Sequence, residues 1–492
     1  MMELWALVLV LACLMVLKYL RWLWRCRHYP PGPFPWPLIG STWWTGLNLH
    51  KDTLMKLAKQ YGSLSTLWIA QYPIVILSGY QTVKEGLIGH SEELSGRPVT
   101  NLLKIAFKRK GIVLSNGRVW KQQRRFGVGV MRQLGLGKKG MESQIQVETH
   151  RLVEVFASAK GQPFDPLLPI TNSVSSLICV LAFGYRFSLE DKEFQEMIDA
   201  VDFLLKFGCT MCHTVAELFP SIFIHLPGPH QKALSFSQLV LSFARKEIEK
   251  HKEQTRHEPQ DFIDFYLLQI EKNKNNPSSS FNEENLSETI LELFIAGTET
   301  TATTLHWALL LMVAHPDVQD KVYKEMEDVL GSSHSICYQD RKKLPYTNAV
   351  IHEIQRANYA LPLGIPRRSI KDVHMNGFII PKDTIVVTDL RSVLLDPKQW
   401  ETPEQFNPQH FLDKDGNFVA REEFLPFGAG ARVCLGEQMA RMEIFLFLTH
   451  LLRNFRFQLP EGVTKINQEP VMGMTFHPVP YKVCAIPRSS SS

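Results

Sequence analysis

Residues 427–436 read F-G-A-G-A-R-V-C-L-G. Glycines at 428, 430 and 436 and alanines at 429 and 431 surround one cysteine, so the backbone can turn sharply and approach a large flat group closely. Behind Cys434, apolar residues recur at helical spacing over 437–454. That pattern predicts a helix whose unpaired first amides face the sulfur and favour its negative charge. Cys434 is therefore read as a thiolate metal ligand held rigidly in its loop. A lone cysteine is ordinarily a small buried hydrophobe. Here Phe427, Gly428, Gly430, Arg432, Cys434 and Gly436 stand in a register expected by chance on the order of once in a hundred thousand chains.

The 492 residues, 45% of them apolar, can bury a large core as one big domain or two. A formal charge of only +5 argues against nucleic acid as a partner. Eight cysteines are too sparse for a disulfide scaffold and suit a reducing compartment. Charge is unevenly spread: residues 94–141 carry 12 Lys and Arg and no Asp or Glu, which leaves the remainder at 42 minus 49, or −7. The expectation is a basic face that docks an acidic protein, with some cations turned inward to anionic groups of a cofactor. The competing reading is a set of solvated loops.

Residues 4–17 are an unbroken apolar run, short of the ~20 that span a bilayer as a helix. Extended to Trp24 the run suffices, with Lys18 and Arg21 snorkelling and Trp22 and Trp24 at headgroup level. The basic cluster Lys18, Arg21, Arg25, Arg27 follows the run and no small-x-small cleavage site appears. An uncleaved anchor fits better than a signal peptide, with the remainder cytosolic. The chain thus divides into a membrane anchor (1–28), a proline-rich hinge (29–40) and a catalytic domain (41–492). Residues 64–77 read as a hairpin around Gln71-Tyr72-Pro73, and 373–389 as another around Asn376-Gly377. Elsewhere helical periodicity dominates, so the fold expected is mainly α with small β-sheets. Residues 489–492 are expected to be disordered, and the sequon at Asn285 to stay unglycosylated on a cytosolic face.

Ser280-Phe281-Asn282-Glu283 reads as a capping box that opens a helix running to His315-Pro316. Its middle holds Ala296-Gly297-Thr298-Glu299-Thr300-Thr301, and a glycine and a carboxylate in mid-helix cost stability. Either the hydroxyls bond back one turn and Glu299 is solvated, or the segment serves chemistry. Glu353 and Arg356 share a helix face, as do Trp120 and Arg124. Residues 209–213 spell C-x-x-C-H, a pattern of covalent haem attachment expected by chance in roughly one chain in two hundred. That weaker signal is assigned to packing or channel lining.

The cysteine loop resembles the ligand loop of the cytochromes P450, and from Pro30 onward the chain is similar to their vertebrate microsomal family 2. Gly96-Arg97-Pro98-Val99-Thr100, Gly161-Gln162-Pro163-Phe164-Asp165-Pro166 and Leu226-Pro227-Gly228-Pro229-His230 look most like the J subfamily. The resemblance implies the P450 haem-thiolate fold with one N-terminal transmembrane helix. Cys434 would be the axial ligand of haem b (iron-protoporphyrin IX), in a loop shaped by Phe427 and Gly428. Arg97, Trp120, Arg124, Arg367 and Arg432 would surround the propionates, although many relatives carry histidine where Arg367 stands. Thr300 with Glu299 would help deliver the protons that O–O cleavage needs. Glu353 and Arg356 would form a buried pair, with His410 of Pro403-Glu404-Gln405-Phe406-Asn407-Pro408-Gln409-His410-Phe411 as third partner.

The function implied is a monooxygenase of the endoplasmic reticulum membrane. Electrons would come from NADPH through the flavoprotein NADPH–cytochrome P450 reductase, with cytochrome b5 as a second partner. Lipophilic substrates are implied, polyunsaturated fatty acids and xenobiotics, under a pocket roof formed by 203–207 and 218–226. Two other classes stay open. A reductase-independent haem-thiolate isomerase would have no need of Glu299 and Thr300, and a non-enzymatic membrane haem protein no need of the polar mid-helix segment.

Overall fold

The computed structural model describes residues 2–45, 52–98, 100–135, 139–188, 191–208, 210–223, 225–254 and 258–488. The expected disorder at 489–492 lies outside them. The chain forms two compact units, one of 1–98, 363–399 and 428–433, the other of 99–362, 400–427 and 434–492.

The first unit holds the largest sheet, ordered Leu64–Ile69, Tyr72–Ser78, Ile385–Asp389, Arg367–Arg368. The first hairpin pairs Ile69 with Tyr72, so its turn is Ala70-Gln71, with Ala70 at φ 52°, two residues earlier than the proline suggested. The second hairpin is shorter than expected. Val373–Met375 pairs Phe378–Ile380 across Asn376 and Gly377, both at positive φ as a tight two-residue turn requires. Ile385–Asp389 leaves that hairpin and runs parallel to Tyr72–Ser78. There Val387 joins Leu54, Leu57, Leu67 and Ile76 in a small core, and burial on the larger sheet outweighs local pairing. The helix Met2–Cys26 is largely exposed over residues 4–21, and among the described residues it alone is long and apolar enough to cross a membrane. Trp22 packs edge-on against Trp68 at 5.2 Å, while the Tyr19 hydroxyl donates to the Pro35 carbonyl at 3.0 Å.

The second unit is a helical body around the long helix Glu283–Ala314. Its N-cap is Asn282, whose side chain accepts from the Asn285 amide at 2.9 Å. Ser280 does not cap, because Gln123 Nε2 donates to its hydroxyl and Asn285 Nδ2 to its carbonyl. Asn285 is buried and also accepts from the Gly111 amide, so the fold closes the sequon in any compartment. A Cβ on Gly297 would stand 2.4 Å from Ile178 Cδ1 of the helix Leu167–Phe183. The mid-helix glycine is therefore a packing requirement between two helices. The helix after the cysteine loop spans Glu437–Asn454, as predicted, and is buried on nearly every side, with Phe445 and Phe447 joining Phe156, Phe183 and Phe294 in the main core. Each such side chain contributes about 1.5–3 kcal/mol by burial.

On the helix Pro345–Ala357, Arg356 makes a two-pronged bond to Glu353 at 2.7 and 2.8 Å and donates to the carbonyls of Pro403 and Gln405. His410 Nδ1 lies 3.2 Å from both Glu353 oxygens. The Thr402 amide donates to His410 Nε2 at 3.3 Å, so the ring carries its proton on Nδ1, toward Glu353.

Phe203 and Phe207, expected as pocket roof, pack into a separate small cluster with Leu102, Ala216, Ala233, Cys212 and Phe223. Cys209 lies outside the described residues. Cys212 is half-buried in that cluster and His213 pairs with Glu217, which leaves the C-x-x-C-H stretch to packing.

Candidate active site

The cysteine loop is built by short backbone bonds. The Cys434 amide donates to Phe427 O at 3.1 Å and the Val433 amide to Gly430 O at 3.0 Å. Gly428 and Gly430 sit at φ 69° and 71°, and a Cβ on Gly430 would stand 1.8 Å from the Leu87 carbonyl oxygen. No other residue fits there. The amides of Gly436 and Glu437 bond the sulfur, as the predicted helix start requires. They do not prevail electrostatically. Burial pushes the thiol up, the Glu437 carboxylate adds to that, and the two amides with Arg124 oppose without overturning it. Full ionisation therefore needs a cation on the sulfur, which deprotonates a coordinating thiol outright.

Trp120 and Arg124 lie on the helix Gly117–Gln133, the first buried, the second half-buried and close enough to Cys434 for their charges to interact. Gly127 on the same helix was not singled out by sequence. A Cβ there would approach Ile112 at 2.9 Å and Leu435 at 3.5 Å, so its absence lets this helix reach the residue after the cysteine. A glycine inside a helical pattern was the available signal.

In the first unit Arg97, Arg367 and Arg432 are all buried. Arg97 donates to the carbonyls of Ile365 (2.6 Å) and Pro366 (2.9 Å), Arg367 to Ala429 (3.1 Å) and Arg432 to Ser95 (2.9 Å). These bonds tie the three guanidinium groups into one neighbourhood, where an anion would offset their mutual repulsion.

At the middle of the long helix Ala296 is exposed, whereas Thr301 to Val313 are buried in succession. Thr300 Oγ1 donates back to Ala296 O at 2.7 Å, as one reading held. That reading also had Glu299 solvated, and there the structure corrects it. Its Oε1 lies 2.7 Å from His477 Nε2 and accepts from Thr475 Oγ1 at 2.6 Å. Burial raises its carboxyl, but the hydrogen bond and charge of His477, with Thr475, outweigh this and hold it below the usual carboxylate range. His477 and Thr475, near the C-terminus, carried no local signal in sequence.

These features fit haem. Cys434 is enclosed by surrounding chain yet keeps accessible surface, so its sulfur borders an internal space. Within the same unit the long helix exposes small Ala296 at its centre, and in the other unit the buried arginines Arg97, Arg367 and Arg432 suit two carboxylates. The family model for cytochrome P450 matches residues 30–485. Cytochrome P450 2J2 of Homo sapiens is 41% identical over 465 residues, covering 94% of this chain and 92% of the relative. Cytochrome P450 2J5 of Mus musculus is 41% identical over 468 residues (94% and 93%), and cytochrome P450 2H1 of Gallus gallus 40% over 489 (98% of each). The chain belongs to the cytochrome P450 family, as a membrane monooxygenase of lipophilic substrates that uses haem b and takes electrons from NADPH through a flavoprotein reductase.

Proposed function

We propose that Cys434 is the thiolate ligand of the haem, and that the accessible sulfur bonded by the Gly436 and Glu437 amides is the observation that carries this reading. Phe427 and Gly428 shape the loop. Arg97, Trp120, Arg124, Arg367 and Arg432 hold the propionates. The bound haem supplies dioxygen activation and one-electron chemistry. The chain's own part is to bind and orient the group, exclude water and supply protons, which Thr300 and Glu299 do from the long helix. Replacing Cys434 with Ser tests the assignment: the thiolate-type Soret band of the ferrous carbon monoxide complex should vanish, and its retention would overturn the ligand. The isomerase and non-enzymatic readings gain no support from the relatives, and Glu299 held in a polar network suits proton supply.

The anchored domain (41–492, after the hinge at 29–40) is proposed to face the cytosol from the endoplasmic reticulum. Its reductase-docking face is the exposed stripe Arg118, Lys121, Arg125 and Arg132, which share one side of the helix Gly117–Gln133 at helical spacing. Cytochrome b5 would use the same stripe. Lys138 and the side chain of Lys139, from the same acid-free run, lie outside the described residues.

The substrates proposed are long-chain polyunsaturated fatty acids, epoxidised or hydroxylated. Phe219, Ile222 and Leu226 expose 54%, 60% and 44% of their surface, which suits contact with the bilayer that stores such lipids. Desolvation of the chain supplies ~0.8 kcal/mol per methylene. With reductase, NADPH and a C20 polyunsaturated acid at ~10 μM, epoxides and alcohols should appear by mass spectrometry. If neither forms while a drug probe is turned over, the xenobiotic role stands alone.

A further inference from the structure

Four polar side chains meet beside the long helix, and their hydrogen bonds constrain one another. The Thr475 hydroxyl donates its one proton to Glu299 Oε1 at 2.6 Å, so it meets His477 Nε2, 2.8 Å away, with a lone pair. The other neighbour of Nε2 is the Glu299 carboxylate, which only accepts. Nε2 must therefore carry hydrogen. Nδ1 is different, because its partner at 3.2 Å is the Thr303 hydroxyl, which can donate or accept by rotating. His477 can thus take a second proton without losing any of its bonds. A quarter of its side chain is accessible (25%), against 15% for Glu299, so water reaches the ring more readily than the carboxylate.

We propose that His477 is a positioning residue that holds the Glu299 carboxylate and recharges it with protons from solvent during turnover. This rests on the assignment of Glu299 and Thr300 to proton supply. The charged ring passes its Nε2 proton to Glu299 Oε1; the carboxylate becomes the acid and the ring the neutral Nδ1–H form, donating to Thr303. Water restores the proton at Nε2 after Glu299 has delivered its own. Among the described residues a further titratable group that interacts with the pair is His306, farther along the long helix. Buried, with Nε2 at 3.2 Å from Leu167 O and no hydrogen-bond partner at Nδ1 among the described residues, it is held neutral by burial, down to about 4. It neither competes for the proton nor supplies one.

His477→Gln keeps an amide donor toward Glu299 but cannot carry a charge, whereas His477→Val removes both. In the full-length protein with reductase, product per NADPH should fall several-fold in both variants, with peroxide rising. The wild-type value should decline as pH rises, because the relay draws its proton from solvent through the ring, and the Gln variant should be flat over the same range. Wild-type behaviour of His477→Gln would reduce His477 to a structural prop and overturn the relay. Unchanged coupling in Glu299→Gln and Thr300→Ala would instead overturn the assignment beneath it. Independently of turnover, thermal unfolding of Glu299→Gln, His477→Gln and the double variant should show coupling on the order of tenfold in the unfolding equilibrium. Additive effects would mean the pair does not interact as described.

Discussion

Glu353 and Glu299 each face a histidine, His410 at 3.2 Å and His477 at 2.7 Å, yet the surroundings make different devices of them. Glu353 shows no accessible side-chain surface, and Arg356 spends two N–H groups on it. The asymmetric neighbours of His410 fix its proton on Nδ1, so the group has one arrangement and nothing to exchange. Among the described residues Glu299 has no arginine in its network, and its histidine keeps one nitrogen against a rotatable hydroxyl with solvent within reach. A carboxylate and an imidazole become a lock or a relay according to whether a permanent cation is present and whether water can enter.

The largest effect should come from breaking the lock. Glu353→Ala strands the buried Arg356 charge and should lower stability by about 3–5 kcal/mol, read as a large drop in thermal midpoint or loss of folded protein. A change below about 1 kcal/mol would mean that the sealed site behaves like an exposed one, and the contrast with Glu299 would dissolve.

Glu443 supplies a third case, a carboxylate that among the described residues meets neither arginine nor histidine. It is buried on the helix Glu437–Asn454, bonds Thr301, and has no hydrogen-bond partner at Oε1 among the described residues. Burial raises its carboxyl to about 8. Between its ordinary value near 4.5 and about 8 the folded chain holds a proton that the unfolded chain releases, so wild-type stability should fall as pH rises through that window. Glu443→Gln should remove the slope, gaining on the wild type by a few kcal/mol toward pH 8. Parallel curves of unfolding free energy against pH would show that Glu443 is ionised and that burial alone does not decide these sites.

How much of this contrast could be read in sequence follows from how local each part is. Glu353 and Arg356 stand three residues apart, and Asn376-Gly377 specifies its own turn, so spacing sufficed. The cysteine loop and the bounds 437–454 were legible because glycine conformation and helix starts are local physics. The N-cap was misplaced because Ser280 is recruited by Gln123, 157 residues away. Gly297 announced close approach and Gly127 went unread, and the partners pressing on them, Ile178 and Leu435, come from other elements. The Glu299 network was invisible because Thr475 is 176 residues distant and a histidine near a C-terminus has no pattern to belong to.

Thr300→Ala should affect chemistry and leave the fold alone. Among the described residues its hydroxyl bonds only within its own helix, to Ala296 O, so stability should shift by less than about 1 kcal/mol. Product per NADPH should fall on the order of tenfold while NADPH consumption falls less, the difference appearing as peroxide. Unchanged coupling would remove Thr300 from proton supply, and a fall in coupling matched by a fall in thermal midpoint would place this helix segment with the lock.

The smallest effect belongs to the surface, where neither folding nor proton supply is at stake. Arg118, Lys121, Arg125 and Arg132 are exposed on one helix side, and exposed charges act on partner encounter more than on stability. Arg125→Glu with Arg132→Glu should slow reductase-driven turnover by a few-fold at low salt, and the deficit should shrink as salt screens the attraction over about 10 Å. Peroxide-driven turnover needs no reductase and should be spared, as should product per NADPH, since electrons that do arrive meet an intact Glu299 and His477. The double variant therefore separates electron supply from proton supply: Thr300→Ala alters the yield of each electron pair, the surface reversal only how often a pair arrives. Equal loss in the reductase-driven and peroxide-driven assays would mean that the two arginines support the helix that carries Trp120 and Arg124, and the docking face would have to be sought on another surface.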